Sequence, residues 1–120
     1  MISYLLVFVG GGLGSICRYG VAHLFGQLES SFPDATLVAN VISCVILGIL
    51  IGINIKGELA SSYRLLLMTG FCGGFSTFST FSGETYLLIQ SGELGTAFAN
   101  VMLSLIICIP CIFLGIKLAG

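Results

Sequence analysis

Four long apolar stretches follow one another with only short polar connectors between them, and this alternation limits how the chain can fold more than any other feature. They run over about Ile2–Phe25, Ala35–Asn54, Leu65–Gln90 and Leu94–Leu118. Each is long enough to cross a bilayer, which takes about 20 apolar residues. Charged residues are 8% of the 120, against about 25% in a soluble domain. The apolar excess is spread over the whole length, so residues 1–120 read as a single all-α membrane domain embedded in the lipid bilayer. The opening Met1-Ile2-Ser3-Tyr4 has no positively charged leader, which argues for a first helix kept in the protein. A net charge of −1 offers nucleic acid nothing to hold.

Four crossings put both termini on one side of the membrane. Lys56, Arg64 and Lys117 fall on that side and Arg18 on the other, which points to cytoplasmic termini in the cell's inner membrane. Seventeen Gly, roughly twice the ordinary share of about 7%, suit helices whose backbones approach closely. In the first span Gly10 and Gly14 form a small-xxx-small pair, with Gly11 and Ser15 a second pair beside it. Arg18 has two readings: it snorkels to the interface, or it is a fixed cation ordering a neighbouring helix end. His23 reads as interfacial. The five Cys all lie in apolar surroundings and give no disulfide framework.

Gly26 to Asp34 is a polar connector ending in the turn Phe32-Pro33-Asp34. The second span carries one amide, Asn40, which serves either a helix-packing bond or a pathway lining. Lys56 to Arg64 is the next connector, and Gly92-Glu93 opens a short turn. In the fourth span, Cys108-Ile109-Pro110-Cys111 has the CxxC spacing of thiol oxidoreductases but lacks their strand context. Asn100, Ser104 and Cys108 share a helix face at i, i+4 and i+8.

The third span is a poor helix. Gly73 and Gly74 soften its backbone, Phe75, Phe78 and Phe81 recur every three residues, and Ser and Thr are interleaved with them. At about 26 residues it exceeds what a crossing needs, which predicts two half-helices with a break near Gly73 to Thr77. Irregular backbone survives at membrane depth only where protein or a wet cavity satisfies it. Phe ring edges carry positive charge, so beside hydroxyl donors they offer an uncharged site for a small anion. The carbonyls freed by the break suit a hard monovalent cation. Glu84 is the sole acid well inside a span and a functional candidate by default; otherwise it pairs with a hydroxyl, a backbone amide or Arg18. No enzyme constellation is present. The residues alone reach a small-ion pathway or transporter.

Gly11-Gly12-Leu13-Gly14 with Arg18-Tyr19, then Val38-Ala39-Asn40, then the run from Gly70 to Ser82 followed by Glu84, together resemble the CrcB/Fluc family of fluoride channels over essentially the whole chain. The resemblance implies an antiparallel, dual-topology homodimer of four-helix subunits, with the third helix broken near its middle. It implies passive fluoride efflux that lowers cytoplasmic fluoride, and one structural Na⁺ at the dimer centre, held by the backbone carbonyls of Gly73 and Ser76. It places Phe78 and Phe81 in the fluoride pore with Asn40, Ser79, Thr80 and Ser104. The fourth-span track is thinner here than in the family, and the basic residues lean to one side, so the partner is either a second copy or an oppositely oriented paralogue. A small multidrug-type proton-coupled transporter is the alternative; it calls for an acid in the first span, which is absent. A packing-only membrane assembly factor is a third reading.

Overall fold

The structure, a computed structural model, describes residues 1–25 and 33–120. The connector expected over Gly26 to Asp34 lies outside the described residues except for its last two. Among the described residues there are five helical stretches: α1 (Ile2–Phe25), α2 (Asp34–Ile55), α3 (61–75), α4 (Phe78–Gln90) and α5 (Leu94–Ala119). Of these, α1, α2 and α5 are each long and apolar enough to cross a membrane. Their bounds lie within a residue of the stretches read from hydropathy. Pro110 sits inside α5, which continues past it.

The third stretch is the one the sequence draws differently. Helix α3 begins at Ser61, earlier than the connector Lys56 to Arg64 predicts. It opens with the short turn Ser61–Tyr63, widens into π winding over Arg64–Cys72 and tightens again over Gly73–Phe75. Only Ser76 and Thr77 leave the helix, with ψ of 154° and 126°. The soft pair Gly73-Gly74 therefore remains helical, and the interruption is narrower than the expected Gly73 to Thr77.

Gly74 has another task, which is close packing. Helix α1 lies against α3 along a seam of glycines, where a methyl group built on Gly74 would stand 3.0 Å from Gly11 Cα and one on Gly10 would stand 3.1 Å from Gly70 Cα. A second seam joins α2 to α5: a methyl group on Gly115 would stand 2.8 Å from Gly48 Cα. In lipid the apolar effect does not draw helices together, so dispersion between close backbones must do it. Small and polar residues make up most of the interior, with Ala39, Ala97, Cys72, Ser43, Thr36, Asn100 and Ser104 buried beside the larger Leu50, Phe75 and Leu88. Large apolar side chains such as Phe8, Ile16, Leu24, Ile106 and Phe113 point outward, as befits a surface that meets acyl chains.

The turns are closed by the backbone itself. After α2, Gly57 N donates to Asn54 O and Glu58 N to Ile53 O; after α4, Gly92 N donates to Ile89 O and Glu93 N to Leu88 O. Gly57 and Gly92 have φ of 75° and 83°, the left-handed cap that ends a helix in this bonding pattern. Lys56 Nζ then donates to Ala119 O at 2.9 Å, tying the end of α2 to the end of α5.

Candidate functional site

The site forms where α3 gives way to α4, because side chains there take hydrogen bonds that a continuing helix would make. The Thr77 amide, which would return to Gly73 O, instead donates to Asn40 Oδ1 at 3.4 Å. The Thr80 amide, which would return to Ser76 O, donates to Thr77 Oγ1 at 3.4 Å. Thr77 is thereby the N-cap of α4. The two substitutions release the carbonyls of Gly73 and Ser76. The Cys72 carbonyl, by contrast, accepts from Ser76 N at 3.0 Å, Ser76 Oγ at 2.8 Å and Ser43 Oγ at 3.3 Å.

Arg18 reaches across from α1 and donates from Nε to Gly74 O at 3.2 Å. The guanidinium thus faces the carbonyl end of α3, where helix dipole and hydrogen bond act in the same sense. It does not pair with Glu84, whose Oε1 is buried without a hydrogen-bond partner. Arg18→Met is expected to lower protomer stability by about 1.5 kcal/mol, the low end for a charged donor because the contact is half-exposed. Thermal unfolding in detergent measures it, and an unchanged midpoint would mean that the arginine only snorkels.

Beside the break lies an open cavity of about 270 Å³, lined by Asn40 and Cys44 of α2, Ser76 and Thr77, Phe78 and Phe81 of α4, and Ser104, Leu105 and Cys108 of α5. Its wall contains no charged residue among the described residues. Ser104 is 8% exposed and its Oγ has no hydrogen-bond partner, so an unspent donor stands in the wall. The Phe78 and Phe81 rings are 5.9 Å apart and inclined at 43°.

Of the residues marked in the sequence, Asn40, Ser76, Phe78, Phe81 and Ser104 come together at this cavity. Ser79 and Thr80 follow in the exposed first turn of α4, with Ser79 Oγ 3.1 Å from Thr77 Oγ1. Gly73 is exposed on the protomer surface, and Glu84 lies farther along α4. Phe75 parts from the other two phenylalanines: it is buried, edge-on to Phe71 with centroids 5.6 Å apart. The helix break explains this, since a spacing of three preserves a face only along unbroken helix. Asn100, 1% exposed, spends its amide on Thr85 Oγ1 at 2.9 Å and is absent from the cavity wall. Sequence reasoning overlooked Thr77 and Cys44. Both were detectable, Thr77 as a hydroxyl three residues before Thr80 and Cys44 as the residue one turn after Asn40.

Helices of this length around an uncharged cavity define a small multi-pass membrane protein. Comparison with known sequences gives its kinship. Residues 5–116 match the family described as "CrcB-like protein, Camphor Resistance (CrcB)", and the chain belongs to that family. It is 46% identical over 116 residues to the fluoride-specific ion channel FluC of Pyrococcus abyssi, covering 96% of this chain and 94% of the relative. It is 41% identical to a fluoride-specific ion channel FluC of Thermus thermophilus, covering 100% and 97%. With the FluC of Phocaeicola vulgatus it shares 37% over 97% of each. None of these relatives is named as a multidrug transporter or an assembly factor.

Proposed function

We propose that this chain is a fluoride channel that lets the ion leave the cell passively. The observation that carries the reading is the match, over nearly the full chain, to relatives named fluoride-specific ion channels. The cavity supports it physically. Fluoride gives up water only where donors replace it, and a fixed positive charge would hold it too tightly to release. The Asn40 amide, the Ser104 hydroxyl and the ring edges of Phe78 and Phe81 are uncharged donors of graded strength. Ser79 and Thr80 would extend that lining at the start of α4, and Glu84 stands deeper along the same helix. This is transport without bond-making chemistry, so the chain is no enzyme.

In this reading α3 and α4 together make a fourth crossing, interrupted at Ser76–Thr77. A second copy in the opposite orientation, or an inverted paralogue, would lie against the exposed face that carries Gly73. The carbonyls of Gly73 and Ser76, released from helical bonding, fit a Na⁺ ion at the centre of such a pair. Bound there, the ion would supply positive charge to backbone oxygens from both subunits. The chain's own part is to keep those oxygens out of helical bonding, through Asn40 and Thr77.

Vesicles containing the purified protein and loaded with fluoride should release it when a K⁺ ionophore clears the charge, and an electrode reads the release; vesicles loaded with chloride should not respond. Retention of fluoride would refute the channel. Purification with N-methylglucamine in place of Na⁺ is expected to weaken the pair in size-exclusion chromatography, and an unchanged profile would count against the cation site.

A further inference from the structure

We propose that Cys44 and Cys108 form a two-thiol site for a thiophilic d¹⁰ cation of the mercuric class, and that filling it closes the ion path. The part about closure rests on the cavity being that path. Both residues stand in the cavity wall, Cys44 one turn after Asn40 on α2 and Cys108 one turn after Ser104 on α5. They line the same cavity from the two facing helices, and both are free thiols. The spacing of the two helices is set by backbone, since Gly48, one turn beyond Cys44, touches α5 at Gly115. A pair of sulfurs fixed in this way forms a ligand set by geometry, whatever the conformation of loops elsewhere.

Sulfur ligands prefer soft cations and reject hard ones such as Na⁺ or Mg²⁺. A mercuric ion takes two thiolates in line, which suits a pair with no third sulfur in the wall. Cys111, three residues along α5, flanks the pair without lining the cavity. The reaction balances without an oxidant: two S–H bonds break, two S–Hg bonds form, and two protons leave to water. The bridge would span α2 and α5 beside Phe81 and Ser104, inside the space an ion would have to cross. Cys108 thus has a use unrelated to thiol–disulfide exchange, pairing across to α2, and its spacing to Cys111 plays no part in the site.

The test uses the full chain in fluoride-loaded vesicles, with mercuric nitrate as the probe. Each variant is compared with itself before and after the ion is added. Wild-type flux should stop and should return with excess dithiothreitol. Cys44→Ala and Cys108→Ala should each raise the half-blocking concentration at least about tenfold, since losing even a group that merely supports a ligand costs a metal site about 10- to 100-fold. Cys17→Ala and Cys111→Ala should keep wild-type sensitivity. In parallel, the absorption band of the bis-thiolate mercuric complex should titrate to one ion per chain and fall to the single-thiol level in either cavity variant. Equal block in wild type and both cavity variants would overturn the proposal, and so would a band that depends on Cys111. If the wild type carries no fluoride before mercury is added, the channel reading fails, yet the band still decides whether the two-thiol site exists. A conducting protein that binds the ion and keeps its flux would overturn closure. Should an alanine variant lose its basal flux, its absorption titration decides instead: a band that keeps its wild-type strength there overturns the site.

Discussion

Phe81→Ile is expected to abolish fluoride flux while leaving the protein folded and assembled. Isoleucine keeps most of the volume and the apolar character, so packing changes little, but it has no ring edge to offer an anion. Phe81 lines the cavity with the unspent Ser104 hydroxyl and is not among the close contacts of the glycine seam that joins α1 to α3. If the ring edge and its setting lower the barrier by about 3 kcal/mol, flux falls about 100-fold. Phe78→Ile should act similarly and disturb the protomer even less, because Phe78 is 79% exposed within one chain. Electrode-monitored efflux gives the first half of the result and size-exclusion chromatography the second. Loss of assembly with loss of flux would mean that these rings serve packing.

The second large effect concerns Gly14. A methyl group there would stand 2.7 Å from Phe75 N and 3.1 Å from Gly74 C, and would also press on Phe71 O. All of these neighbours are backbone, so no rotamer change can make room and α1 must move away from α3. Overpacking a core costs about 1–3 kcal/mol even where side chains can adjust, and here they cannot. Gly14→Ala is therefore expected to yield little monodisperse protein. Gly20→Ala is the matched control: a methyl group there meets nothing within 4 Å, and the change should be neutral or stabilising by up to about 1 kcal/mol. Comparable yields and melting points for the two variants would show that the seam can open at little cost.

The membrane class, the long helices and the packing role of Gly10 and Gly14 were all legible in the sequence, because hydropathy and small-residue spacing are properties of the chain alone. The cavity was legible in part. Asn40 and Ser104 stand out as polar residues among apolar ones, and Phe78 and Phe81 belong to a conspicuous pattern. What spacing could not reveal was where helix α3 ends. Two glycines look like a weak point, yet tertiary contact with Gly11 keeps Gly74 helical, while Asn40, 37 residues away in sequence, draws the Thr77 amide out of line. Only the fold brings those two groups together. The same limit explains Phe75 and Asn100: each sits at the period of its neighbours, but a break in one helix and a bond to Thr85 from the other remove them from the cavity.

The wide winding over Arg64–Cys72 acts like a gear between two rigid shafts. Each of its turns takes up about one residue more than an ordinary helical turn, so it sets the rotational phase of Gly74, Ser76 and Thr77 relative to the start of the helix at Ser61. Length changes are then unequal in cost along this stretch. A residue lost ahead of Gly73 could be absorbed by tightening the winding, with the seam and the cavity keeping their phase. A residue lost between Gly73 and Thr80 has no such slack, because it would misalign both amide captures and return the Gly73 and Ser76 carbonyls to the helix.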